Sequence, residues 1–178
     1  MSWSRPVAAV VLLLTLAACG FQPLYGQRGA TGGSMADELA AVRIVPIADR
    51  TGQLLYNHLR DRLNPKGKPV DPRYVLNISL TEEHKELAFR GDETATRANL
   101  KLVANYVLRR AVSDGESGED AIVTRGTARI TTSYDILDSQ YATIISIEDA
   151  RSRATRVLSD DIQARLAVAL SERTASAP

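Results

Sequence analysis

Apolar and polar residues alternate through the middle of the chain, and apolar residues recur at helical spacing on either side. In 74–81, Tyr74, Leu76, Ile78 and Leu80 alternate with Val75, Asn77, Ser79 and Thr81. Period two marks a strand with one buried face. The even register continues in a strand over 95–110, through Leu100, Leu102, Ala104, Tyr106 and Leu108. It continues again over 122–134, through Ile122, Ala128 and Ile130, where Gly126 is read as a β-bulge. Polar residues occupy 82–86, and the apolar patch Leu87-Ala88-Phe89 precedes Arg90-Gly91-Asp92-Glu93, which reads as a turn. A second turn, 112–120, is rich in Gly, Ser and acid. Such short links predict an antiparallel meander.

Before the meander, Val42 to Ile47 reads as a strand that Pro46 confines to an edge or a strand end. Leu55, Leu59 and Leu63, widened by Leu54 and Tyr56, predict a helix over 53–63. It stops at Asn64-Pro65, because a residue before proline disfavours helical geometry. After the meander, 135–145 reads as a connector. A last helix starts at Ser146, where Ser146 and Asp149 resemble a capping box. Its stripe is Ala150, Ala154, Val157, Leu158, Ile162, Leu166, Ala169 and Leu170, and it ends before a fraying tail, 174–178. The order β-α-β-β-β-α predicts an α+β two-layer sandwich: a four-stranded, mostly antiparallel sheet with two helices on one face.

That arrangement leaves the odd-numbered sheet face uncovered. It carries Arg97, Lys101, Arg109, Arg125 and Arg129 and, within those two stretches, no acid. The row has two readings. It is a solvated face whose charges discourage strand pairing, or it is a surface for phosphates and carboxylates, which arginine binds in bidentate fashion.

The N-terminal pattern is of another kind. Val7 to Ala18 is an apolar run of 12 residues broken only by Thr15. A bilayer span needs about 20 residues, so this reads as a signal peptide, 1–18. It ends at Leu16-Ala17-Ala18-Cys19, which resembles the lipobox of bacterial lipoproteins. Cys19 is the one cysteine in the chain, so no internal disulfide is available. In that family the cysteine carries an S-diacylglycerol and an N-acyl chain, a covalent lipid that gives stable membrane anchoring. No other cofactor is implied. Gly20, where some lipoproteins have a retaining Asp, points to the outer membrane. Residues 19–38 then form the anchor and a glycine-rich tether, and 39–173 a single domain. Phe21 to Tyr25 is more apolar than a tether requires, and either the domain or a partner could receive it.

Charge narrows the function. The chain holds 22 Lys and Arg against 21 Asp and Glu; without Arg5 in the leader the count is 21 to 21. A neutral domain is a poor nucleic-acid binder. Catalysis has little support. The two histidines, His58 and His84, lack companions at metal-ligand spacing, and no nucleophile elbow, P-loop or dinucleotide fingerprint is present.

Cys19-Gly20-Phe21-Gln22-Pro23-Leu24-Tyr25, with Ser139-Gln140-Tyr141-Ala142 and Asp149-Ala150, resembles the alphaproteobacterial LptE family of lipopolysaccharide-assembly lipoproteins. The resemblance implies a non-catalytic outer-membrane lipoprotein, anchored on the periplasmic side and seated in the lumen of a large β-barrel, LptD. It would help that barrel assemble, plug it, and contact lipopolysaccharide. On this reading the five odd-face cations are candidates for lipopolysaccharide, and Leu87, Phe89 and Arg90 for the barrel. The competing classes are a scaffold lipoprotein of another envelope complex (secretion or barrel assembly) and a tethered periplasmic enzyme.

Overall fold

The alternating stretches form the long strands of one sheet. The computed structural model describes residues 35–89, 95–111 and 121–176. In chain order these form α1 (Met35–Ala40), β1 (Val42–Ile44), α2 (Asp49–Leu63), β2 (Tyr74–Phe89), β3 (Ala95–Arg110), β4 (Ile122–Asp135) and α3 (Gln140–Ser176). The sheet order is β1-β2-β3-β4. β1 runs parallel to β2, with Val42 beside Tyr74, while β2, β3 and β4 are antiparallel. Both helices needed to cover one face are present, and the α+β sandwich stands as read.

The even residues build the core. Leu76, Leu100, Leu102, Ala104, Leu108 and Ala128 have no exposed surface, and they meet Leu55, Leu59 and Leu63 of α2 and Leu158, Ile162, Leu166 and Leu170 of α3. At 37 residues, α3 is about 55 Å long, matching strands of 16 residues at about 50 Å. One helix therefore spans the whole sheet. It comes close because small residues, Ala150, Ala154, Thr155, Ser159 and Ala167, share the buried side. Thr155 and Ser159 donate their hydroxyls to the helix carbonyls of Arg151 (2.8 Å) and Arg156 (2.6 Å), so burying them strands no donor. Among the described residues, no helix is long and apolar enough to cross a membrane.

Several element bounds differ from the pattern reading. β1 stops at Ile44 rather than Ile47, and α2 begins at Asp49 rather than 53. Gly126 makes no bulge, since pairing runs unbroken from Arg97–Asp135 to Leu108–Thr124 and the irregularity lies between Leu108 and Arg109. Gly126 instead makes room for Tyr106, its cross-strand partner. A Cβ on Gly126 would lie 2.5 Å from the Tyr106 hydroxyl oxygen and 2.8 Å from Cζ. β2 continues through the polar 82–86 to Phe89. α3 begins at Gln140, six residues before Ser146, so Ser146 is no cap. Its hydroxyl accepts the Asp135 N–H at 3.2 Å instead. The new first turn went unseen because Tyr141, Ile144 and Ile145 face outward and complete no core stripe. Val157, expected in that stripe, is half exposed. Helix α1 was also unexpected: it seats Leu39 in the core, and Glu38 binds Arg73 at 2.7 Å.

Candidate functional site

Strand pairing decides which cations stand together. On the outer face Val103 pairs with Arg129 and Lys101 with Thr131, so Lys101 and Arg129 are diagonal neighbours. Val107 pairs with Arg125, two residues from Arg109, which makes a second diagonal pair. Asn105 and Thr127 separate the pairs and bond each other at 2.7 Å. Arg97 stands apart at the far end, against Asp135 of β4 at 3.2 Å.

The whole sheet adds charges that two strands alone did not reveal. β2 brings Glu83 opposite Lys101, and their ion pair measures 3.0 Å. It also brings Lys85, and β1 brings Arg43, which pairs with Val75 on the same face. Both have the odd parity already read in β3 and β4, and extending that parity to β1 and β2 would have found them. The outer face then carries seven basic residues, namely Arg43, Lys85, Arg97, Lys101, Arg109, Arg125 and Arg129, against two acids, Glu83 and Asp135. Lys101 and Arg129, with Thr81, Glu83 and Val103, border a shallow depression. Among the described residues, Arg109 and Arg129 have no carboxylate at ion-pair distance. Lys101, by contrast, is already paired with Glu83.

The inner face changes character toward the β2–β3 turn. Past Leu80, the even positions of β2 are Glu82, His84 and Glu86, which a helix cannot cover with leucines. Glu82 instead receives the Thr51 hydroxyl at 2.7 Å and the Arg151 guanidinium at 2.7–2.8 Å, and it contacts His84 Nε2 at 2.8 Å. The other ring nitrogen of His84 lies 3.0 Å from the Tyr134 hydroxyl. Burial pushes the Glu82 carboxyl up, but the hydrogen bonds from Arg151, Thr51 and His84 outweigh it and hold the group below its ordinary value. The cluster ties α2, β2, β4 and α3 together as a structural clasp. His84 has only the Glu82 carboxylate beside it as a second ligand type, and among the described residues no group of three His, Cys, Asp or Glu could hold a metal.

Beyond the clasp the molecule ends in apolar surface. Leu87 is 46% exposed, Leu137 47%, Tyr141 74%, Ile144 47% and Ile145 46%. The pairing of Phe89 with Ala95 and of Arg97 with Asp135, and the hydrogen bond from Ile136 N–H to Thr96 O (3.0 Å), put the end of β2, the start of β3, the end of β4 and the start of α3 at one end. Leu87 thus joins four residues that the pattern reading had assigned to a connector. Only the backbone pairing of Phe89 is described; Arg90 and Cys19 lie outside the described residues.

Three solved structures share the fold. A lipoprotein from Caulobacter crescentus is 24% identical with a TM-score of 0.61, covering 77% of this chain and 96% of its own. Rare lipoprotein B from Shewanella oneidensis is 16% identical with a TM-score of 0.54, over 75% and 98%. A minor lipoprotein from Acinetobacter baumannii is 14% identical with a TM-score of 0.51, over 71% and 91%. Comparison with curated protein sequences finds no match. The family described as LptE, lipopolysaccharide-assembly, matches residues 39–166.

Proposed function

Since this chain belongs to the LptE family of lipopolysaccharide-assembly proteins, we propose that it works as a lipid-anchored subunit of the outer-membrane translocon, bound inside an LptD-like β-barrel. In this reading residues 1–18 are a signal peptide, Cys19 carries the lipid, and 39–173, which α1 extends back to Met35 and α3 forward to Ser176, form the working domain. The observation that carries the reading is the open sheet face, with seven cations against two acids on a formally neutral mature chain. Lipopolysaccharide presents phosphates and carboxylates, which suit the diagonal pairs Lys101–Arg129 and Arg109–Arg125; Arg97 extends the row. Each exposed pair contributes about 1 kcal/mol or less, so affinity comes from several contacts and weakens with salt.

The barrel contact falls to the apolar end, led by Leu87 and Tyr141, with Phe89 and Arg90 the further candidates next in sequence. A monomer gains nothing by exposing such a cluster, whereas a barrel wall or loop could cover it. The test is a mild-detergent pull-down of the lipidated protein, with photo-crosslinkers at Leu87 and Tyr141. One high-mass adduct containing a large outer-membrane barrel is expected from both positions. Adducts with a secretion or barrel-assembly component would replace this function with a scaffold role in that complex. Palmitate labelling that persists after Cys19→Ala would remove the anchor assignment.

A further inference from the structure

At the end opposite the apolar cluster, a mainly apolar groove of about 200 Å³ opens where the described chain begins. Ala36, Asp37, Leu39 and Ala40 of α1 line one side, Arg62 to Gly67 the other, and Gln163 of α3 closes it, with the charges of Asp37, Arg62 and Lys66 in its lining. The walls are fixed to each other. Asn64 donates its amide to the carbonyls of Ala40 (3.0 Å) and Val42 (3.1 Å), and Gly67 N–H bonds Asn64 O at 2.9 Å. Gly67 has φ +103, and a Cβ there would meet no atom within 4 Å, so the loop side stands open.

We propose that Phe21 to Tyr25 of this same chain docks in that groove. The segment is apolar, and its Gln22 amide and Tyr25 hydroxyl suit a rim carrying Lys66 and Gln163. Reach is ample. Ala36, itself a groove residue, is only 11 residues from Tyr25, and an extended chain spans about 3.3–3.6 Å per residue. Four of the nine residues in 26–34 are glycine, which lets the chain double back. Because the segment is covalently attached, its effective concentration is high and a weak contact suffices.

Docking gives the apolar end a direction. Cys19 lies two residues from Phe21, so a lipid on Cys19 enters the membrane beside α1. The β2–β3 turn is then held about 50 Å away along β2. An undocked tether would leave that orientation free. The docking stands without the translocon reading; only the membrane orientation rests on lipid at Cys19.

Trp3, in the leader, is the one tryptophan of the chain, so the mature lipidated protein carrying Tyr25→Trp holds a single indole, whose emission should be blue-shifted and shielded from iodide. Adding Ala36→Arg at the exposed groove mouth should return it toward the water value. Emission that Ala36→Arg does not move would overturn the proposal, since a detergent micelle alone would then account for the shielding. A photo-crosslinker at Leu24 gives a reading that needs no groove variant. Adducts to 36–40 or 62–67 of the same chain support docking, while adducts only to detergent or to another protein overturn it.

Discussion

On the inner face of β3, Leu100, Leu102, Ala104 and Leu108 have no exposed surface. One position along from each, Asn99, Lys101, Asn105 and Arg109 are partly or fully in solvent. Adjacent residues thus belong to regions governed by different physics. Removing atoms from the inner face opens a cavity, because two helices already hold the facing side chains in place. Changing a charge on the outer face leaves the packing alone and alters only what the sheet can attract. The first region holds the fold together, while the proposed ligand chemistry is carried by the second.

The sharpest way to break this division is to cut into the inner face. Leu102→Ala should cost about 2–5 kcal/mol, the usual range for a fully buried leucine, read as a lowered urea midpoint. If the loss were no larger than for Lys101→Ala, the two faces would not be energetically distinct. A smaller effect is expected from overfilling. Gly126→Ala sets a methyl against the Tyr106 ring, at a cost of about 1–3 kcal/mol. The double change Gly126→Ala with Tyr106→Leu should recover much of that, which would place the strain in this one contact.

The clasp at Glu82 lies on the inner face but behaves electrostatically. Its carboxyl is held below the ordinary value of 4.5 in the folded state. The contribution is therefore fully present above that value, and it fades as pH falls through it toward the depressed folded value. Wild type should outlast Glu82→Gln in thermal melts at neutral pH, with the gap closing below about pH 4.5. A gap that stays constant from neutral to acid would mean that the clasp acts by packing alone.

The smallest stability effect belongs to the outer face. Arg109→Glu with Arg129→Glu should shift stability by no more than about 0.5 kcal/mol, as for other surface changes. The same variant should bind lipopolysaccharide several-fold more weakly at low salt, with a flatter salt dependence. Unchanged binding would leave the cations as protection against strand pairing.

Much of this was legible in the residues themselves. Alternation gave all three long strands and the inner leucines, because one buried face forces period two. The leucine spacing gave α2, and Pro65 marked its end. Parity also separated Arg97, Lys101, Arg109, Arg125 and Arg129 from the core. What alternation could not supply was which of these meet, since neighbours across a sheet depend on register. Register is set by the bulge near Arg109 rather than at Gly126, and by β2, which brings Glu83 to Lys101. The start of α3 was hidden because its first apolar residues look outward, and pattern methods read only inward faces. The polar half of β2 was hidden for the converse reason: Glu82 and His84 are tolerable inside only because Thr51, Arg151 and Tyr134, distant in sequence, arrive there. Local periodicity follows from backbone geometry that each segment carries by itself. Partnerships between charges, and the apolar end where three segments converge, exist only once the chain is folded.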